Sequence, residues 1–203
     1  MHSLIQQLIA EGYLKTPAII NAFKKIKRQD FLPDKLKAEA GANAPLPVGF
    51  DQTNSQPLTV AFMLELLQPN QGDKALDIGS GSGWTSALLA EIVGEKGKVY
   101  AIERIPELVD FAKSNVAKYK FKNLELNCAD GAKGYNQEAP YDKILASAAA
   151  EEIPLAWKKQ IKVGGIIVAP VGNSIWRLVK KLSPRGFVFE ETEYPGFIFV
   201  PLI

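Results

Sequence analysis

Residues 74 to 84, KALDIGSGSGW, constrain this chain more than any other stretch. Lys74 to Ile78 is a short apolar run with an acid inside it. Glycines follow at 79, 81 and 83, and then an apolar stretch of helical character, Ala87 to Val93. The pattern reads as strand, tight turn and helix. Glycine suits a backbone that must turn with positive φ, approach a ligand closely, or let a helix pack hard on a strand. The turn therefore suits a ligand held at a helix N-terminus, although the same triplet also serves as a plain β-to-α turn.

Downstream residues sharpen that reading. KVYAIER, Lys98 to Arg104, is a second strand carrying Glu103 at its end, 20 residues beyond Gly83. An acid there can accept both hydroxyls of a ribose whose other end lies over the glycine loop. A third run, LELNCADG, brings Asp130 to the same edge of the sheet, within reach of a base. Asp77, just ahead of the glycines, is placed to take an ammonium or to order the loop through its amides. Together these features describe a nucleoside with an amino-acid tail, S-adenosylmethionine, better than a dinucleotide.

The alternation of strands and helices from 74 to 170 predicts an open, mostly parallel sheet with helices on both faces and the site over the carboxyl ends of its strands. Strands are expected at 74–78, 98–104, 123–128, 141–147, 165–171, 174–182, 187–193 and 197–203, the last being FIFVPLI. Helices are expected at 3–11, 17–28, 58–67, 106–119 and 154–162, with Gly164 and Gly165 after the end of the last. Phe31 and Leu32 should pin the following segment to the body. The stretch from Ala38 to Pro57 mixes Gly, Pro, Asn and Gln with apolar Leu46, Val48 and Phe50, the composition of an ordered functional loop or a surface linker. Asn54 or Ser55 suits the cap of the helix beginning at Pro57, and periodicity does not separate a capping Ser55 from a catalytic one.

With 203 residues, 47% of them apolar, the chain can bury one substantial core. A net charge of +2 gives no field to draw nucleic acid or an anionic membrane, and the basic cluster Lys24, Lys25, Lys27 and Arg28 reads as the solvated face of a helix. The single cysteine, Cys128, reads as buried in a strand. The only histidine, His2, excludes histidine triads and histidine-rich metal sites in the core. No signal-like or membrane-length apolar segment occurs, which makes the cytoplasm the expected location; separately, a monomer is the expected state.

LDIGSGSGW, VYAIER, ADGAKG, APYDKILASAAAEEIP, QIKVGGIIVAPVG and the final FVPL resemble, in order, the blocks of the protein-L-isoaspartate (D-aspartate) O-methyltransferase family. PLPVGFDQTNSQP resembles that family's substrate loop, PLPIGxGQTISQP, and FLPDKL the block before it. The resemblance implies a Rossmann-like class I methyltransferase fold of α/β type. Its sheet would be open, mostly parallel and seven-stranded, with an N-terminal helical extension. One domain would span 1–203, with the N-terminal helices and substrate loop in 1–57 and the cofactor-binding core in 58–203. It implies methyl transfer from S-adenosyl-L-methionine, leaving S-adenosyl-L-homocysteine, to the α-carboxylate of isoaspartyl residues in damaged proteins. Carried over by position, Gly79, Ser80, Gly81, Ser82 and Gly83 wrap the methionine portion. Asp77 and Arg104 flank that site, Glu103 takes the ribose, and Asp130 with Gly131 meets the adenine. Ser55 matches the active-site serine, flanked by Thr53 and Gln56, and Ala149 and Ala150 fall where the loop after the fourth strand lines the pocket.

Departures cluster in one place. Gly41 and Asn43 stand where the family has tyrosine and aspartate, Asp51 where it has glycine, and Asn54 where it has isoleucine. Loss of the aromatic at 41 should open the pocket, and Asp51 should add negative charge near it. Asp77 and Trp84 replace glutamate and tyrosine in the otherwise regular cofactor half. A carboxylate acceptor needs no histidine, because it is already ionised at neutral pH. Three rival readings are a same-fold methyltransferase with another substrate, a non-catalytic S-adenosylmethionine-binding protein, and a dinucleotide-dependent oxidoreductase.

Overall fold

The computed structural model describes residues 2–202. In chain order its elements are α1 (His2–Ala10), α2 (Pro17–Lys25), β1 (Leu46–Gly49), β2 (Gln52–Asn54), α3 (Pro57–Leu67), β3 (Lys74–Ile78) and α4 (Trp84–Val93). Then come β4 (Lys98–Glu103), α5 (Pro106–Val116), β5 (Leu124–Cys128), β6 (Tyr141–Ala146), α6 (Leu155–Gln160), β7 (Ile161–Val171), β8 (Ser174–Ser183) and β9 (Gly186–Pro195).

Seven strands form one sheet in the order β5-β4-β3-β6-β7-β8-β9. The five from β5 to β7 run parallel, and β8 and β9 are added antiparallel. The strand order reverses between β3 and β6, which opens a crevice at their carboxyl ends. Side-chain alternation sorts the two cores. Ala75, Val99, Leu145 and Val168 face a thick layer with α1 to α4, while Leu76, Ile78, Ile102, Ile144 and Ile167 face a thinner one around Trp157 of α6. Nine of the ten residues of α4 are buried, because α2 packs over the side that the sheet leaves open. A helix enclosed on all sides is apolar all round. The exception, Glu91, pairs with Lys25 of α2 at 2.8 Å.

The predicted strand, turn and helix at 74–93 forms, and Phe31 and Leu32 are buried. Several expectations need correction. The helix from 17 stops at Lys25 because Ile26 turns extended (φ −89°, ψ 103°). Cys128 is exposed, since it ends the outermost strand of the sheet, where no neighbour covers it. Gly164 and Gly165 lie inside β7, in a bulge where Tyr141 faces Ile161 but Lys143 faces Ile166. A Cβ on Gly165 would stand 2.9 Å from the Asp142 carbonyl. Residues 197–202 make no strand of the sheet, and position 203 of the expected strand lies outside the described residues. The segment is tied by the Ala149 N–H to Val200 O and the Leu202 N–H to Ala149 O. These bonds lay residues 200–202 along the crevice instead of at a sheet edge.

The stretch from 46 to 54 is a β-hairpin, with Leu46 and Val48 buried against Leu32, Ala40 and Leu108 of α5. Its two-residue turn, Phe50-Asp51, has φ of 54° and 56°. Positive φ at both positions is the turn that matches strand twist, and aspartate tolerates it better than phenylalanine does.

Candidate active site

A cleft of ≈ 700 Å³, counted with its open mouth, lies at the switch point between β3 and β6, walled by the glycine loop, the end of β4, the start of the loop after β6 and residues 200–202. Gly79, Gly81 and Gly83 all have positive φ, of 71°, 52° and 88°. A Cβ on Gly83 would meet Ala112 of α5 at 3.1 Å, so this glycine serves helix packing. A Cβ on Gly81 would meet nothing within 4 Å, so this one borders open space.

Glu103 fastens that loop. Its Oε2 accepts the Gly81 N–H at 2.9 Å, and its Oε1 accepts the N–H groups of Arg104 at 2.8 Å and Ile105 at 3.1 Å. A carboxylate has about four acceptor positions, so a ligand hydroxyl can still be received. Ser80 Oγ and Trp84 Nε1 are buried without a hydrogen-bond partner among the described residues, and both residues line the cleft. Buried polar atoms of this kind call for a polar ligand. Arg104 lines the mouth of the cleft and is exposed.

Two expected cofactor contacts fall elsewhere. Asp77 is wholly buried beneath the loop and does not line the cleft. Its Oδ2 accepts the Ser86 hydroxyl at 2.6 Å, its Oδ1 has no partner among the described residues, and burial pushes its pKa up to about 7. Asp130 turns aside to accept the Ala132 N–H and pair with Lys133 at 3.1 Å, which holds its carboxyl below the usual range. Ala129 and Gly131 form the cleft wall in its place.

A second hollow adjoins the cleft, lined by Pro45, Gln56, Thr59, Ile198 and Phe199 and sharing Thr53, Ser55, Ser147 and Val200 with it. Ser55 is half-buried, and its hydroxyl has no hydrogen-bond partner among the described residues. It does not cap α3. The N-cap residue is Gln56, without a side-chain capping bond, and the Leu58 N–H is received by Asn43 Oδ1 at 3.0 Å. Gln56 is tied to the Asn43 carbonyl at 3.1 Å and lines only the second hollow. Ala149 and Ala150 bridge to Pro201 and Val171 and leave the lining to Ser147 and Ala148. Gly41 and Asp51 are exposed and line neither space, because Asp51 occupies the hairpin tip.

The residue that holds this loop was misread. Arg28 is fully buried, not on a solvated face. Its Nε donates to Asn54 Oδ1 at 2.8 Å, and its Nη2 donates to the carbonyls of Ala44, Asn54 and Ser55 at 2.7, 3.2 and 3.1 Å. Asn54 passes the contact on, its Nδ2 donating to Ser82 Oγ at 3.1 Å. A trans peptide sets its C=O and N–H on opposite sides, so the amides of Ser55 and Gln56 point away from the guanidinium. Exposed lysines around Arg28 hid it from pattern reading. Ser147 was missed too, although the strand-end rule that found Glu103 applies equally to β6.

The family model described as Protein-L-isoaspartate(D-aspartate) O-methyltransferase matches residues 1–203. A protein-L-isoaspartate O-methyltransferase of Ignicoccus hospitalis is 43% identical over 98% of this chain and 95% of its own length. One of Pyrococcus horikoshii is 42% identical over 98% and 90%. Among solved structures, a protein-L-isoaspartate O-methyltransferase superposes with a TM-score of 0.88 at 27% identity, covering 98% of this chain, which spans 65% of that longer one. A Plasmodium falciparum structure, described as a candidate enzyme of the same kind in complex with S-adenosyl-L-homocysteine, shares the fold with a TM-score of 0.85 at 20% identity. Family match, relatives similar over nearly their whole length and a glycine-loop cleft at the sheet's switch point agree: the chain belongs to the protein-L-isoaspartate (D-aspartate) O-methyltransferase family of S-adenosylmethionine-dependent enzymes.

Proposed function

We propose that this chain transfers a methyl group from S-adenosyl-L-methionine to the α-carboxylate of isoaspartyl residues in damaged proteins. Bound S-adenosyl-L-methionine supplies an electrophilic methyl group on a sulfonium. We assign Gly79, Ser80, Gly81, Ser82 and Gly83 to its methionine portion, Glu103 to its ribose, and Gly131 to the wall beside its base. Arg104 is assigned to the cleft mouth, and Asp77 to fixing the first turn of α4 behind the loop through Ser86. Asp130 is assigned a second rank, since reaching a base requires it to leave Lys133.

The observation that carries the substrate side is Ser55, which stands on the wall shared by the two spaces with a free hydroxyl. In this reading Ser55 and the amides that Arg28 turns forward donate to the carboxylate, while Thr53 and Gln56 shape its entry. The acceptor oxygen needs no base, because a carboxylate ionises near pH 4. What the chain contributes is orientation, and neutral donors position the oxygen without quenching it as a cation in direct contact would. Residues 1–57 then carry the substrate wall and 58–203 the cofactor core of one domain. The enzyme acts as a cytoplasmic monomer on protein chains. No helix among the described residues is long and apolar enough to cross a membrane.

Methyl incorporation from labelled cofactor into matched isoaspartyl and aspartyl peptides tests the reading. Label in the isoaspartyl peptide alone is expected. Equal label in both, or label in neither, overturns it.

A further inference from the structure

The second hollow has no charged side chain in its lining, although on the reading above its ligand is an anion. Behind its wall lies a buried cation. Arg28 is 0% exposed, and every acceptor it contacts is neutral: Asn54 Oδ1 and the carbonyls of Ala40, Ala42, Ala44, Asn54 and Ser55, with the Trp84 ring 5.5 Å away. No Asp or Glu pairs with it among the described residues. Burial lowers its pKa only to about 10, so the charge is kept at neutral pH. Buried charges are ordinarily paired. Carbonyl dipoles solvate this one but do not cancel its net charge, and Ser55 connects the two sides, its carbonyl on the guanidinium and its hydroxyl free at the hollow.

We propose that Arg28 is a positioning residue whose uncompensated charge, acting through the loop without touching the substrate, draws the isoaspartyl carboxylate to Ser55. The inference rests on the isoaspartyl reading. In the transfer, the carboxylate oxygen bonds to the methyl carbon and the carbon–sulfur bond breaks with its electron pair going to sulfur. No proton moves, and both reacting charges vanish. A fixed cation therefore stabilises the bound anion more than a transition state in which the negative charge is fading, and its effect falls on KM more than on kcat.

The decisive variant is Asn54→Asp, which keeps the shape and the contact with Arg28 Nε but supplies the missing counter-charge, while the Ser82 hydroxyl can turn to donate to it. Binding is measured by calorimetry for an isoaspartyl peptide and for the same peptide with a neutral α-carboxamide, both with S-adenosyl-L-homocysteine present so that no sulfonium contributes. The wild type is expected to prefer the carboxylate by about tenfold or more, the scale of one unit charge acting over a side-chain length at an effective dielectric constant of about 20. Asn54→Asp is expected to abolish most of that preference, raise KM for methylation about tenfold and leave kcat unchanged or higher, without lowering the melting temperature. A wild type with no carboxylate preference overturns the proposal whether or not the variant folds. So does a variant that keeps the preference, or one that loses both peptides equally. Failure of the wild type to methylate any isoaspartyl peptide overturns the substrate reading itself, and this inference with it.

Discussion

The two walls of the active site are held in different ways. The cofactor wall hangs from strand ends whose positions follow from the register of β3, β4 and β6, and Glu103 ties three backbone amides across it. The substrate wall is a short hairpin and a loop gathered around one side chain, Arg28, from 12 to 27 residues away in sequence. Sheet register tolerates few alternatives. A loop hung on one post can change its residues while keeping its path, which accounts for the departures at Gly41, Asn43, Asp51 and Asn54 gathering there.

The strongest way to break this comparison is Gly81→Val. A side chain should fill the open space above the loop and lower cofactor affinity by about 100-fold or more, with about 1–2 kcal/mol lost from the left-handed backbone. Calorimetry with S-adenosyl-L-homocysteine beside a thermal melt separates the two effects, and normal binding would show that the cofactor does not lie on Gly81. Glu103→Ala should come next. Bonds to a charged acceptor are worth about 1.5–3 kcal/mol each, so losing the ribose contact and the loop tethers should weaken affinity by about one to two powers of ten and lower the melting temperature as well. A folded variant with unchanged affinity would remove Glu103 from the site.

Ser55→Ala sharpens the comparison from the other side. As the serine does not cap α3, its melting temperature and cofactor affinity should stay at wild-type values while kcat/KM for isoaspartyl peptide falls about tenfold to hundredfold, or 1.4–2.8 kcal/mol. Unchanged turnover would leave the hydroxyl without a catalytic role. The smaller effects belong to Asn43. Asn43→Ala should orphan the Leu58 N–H and cost about 0.5–2 kcal/mol of stability. Asn43→Asp, the family's usual residue, should add about 0.3–1 kcal/mol by placing a negative charge at the start of α3. Equal melting temperatures for all three proteins would mean that the cap contributes nothing.

The same contrast decides what could be read in the sequence. Glycine spacing and strand-end acids are local signals, so the cleft, Gly81, Gly83 and Glu103 were legible, whereas the direction of Asp77 and Asp130 depends on what packs around them. The alternating apolar run predicted a buried Cys128, but burial also requires a neighbouring layer, which the outermost strand lacks there. The segment 197–202 has strand composition, yet β8 and β9 already complete that side of the sheet. Arg28 was illegible for a different reason: nothing in its neighbours reveals that backbone carbonyls far along the chain will converge on it. Periodicity leaves Ser55 between two roles, and the structure removes only the cap, by making Gln56 the N-cap residue of α3.

Asp77 gives the molecule a proton account that activity alone would not reveal. Burial pushes the pKa of this carboxyl up to about 7, which brings its titration into the neutral range. A permanent positive charge settling over the loop favours the ionised form, so loading S-adenosyl-L-methionine should expel protons. By linkage its affinity should rise with pH through neutrality, by at most about tenfold per pH unit. S-adenosyl-L-homocysteine lacks the sulfonium charge and should respond less. Binding enthalpies compared in two buffers of different ionisation heat would count the protons, and identical enthalpies would mean that Asp77 never changes state. If the count is as expected, acidification tilts the competition for this cleft toward the spent cofactor, and product inhibition deepens as the surroundings turn acid.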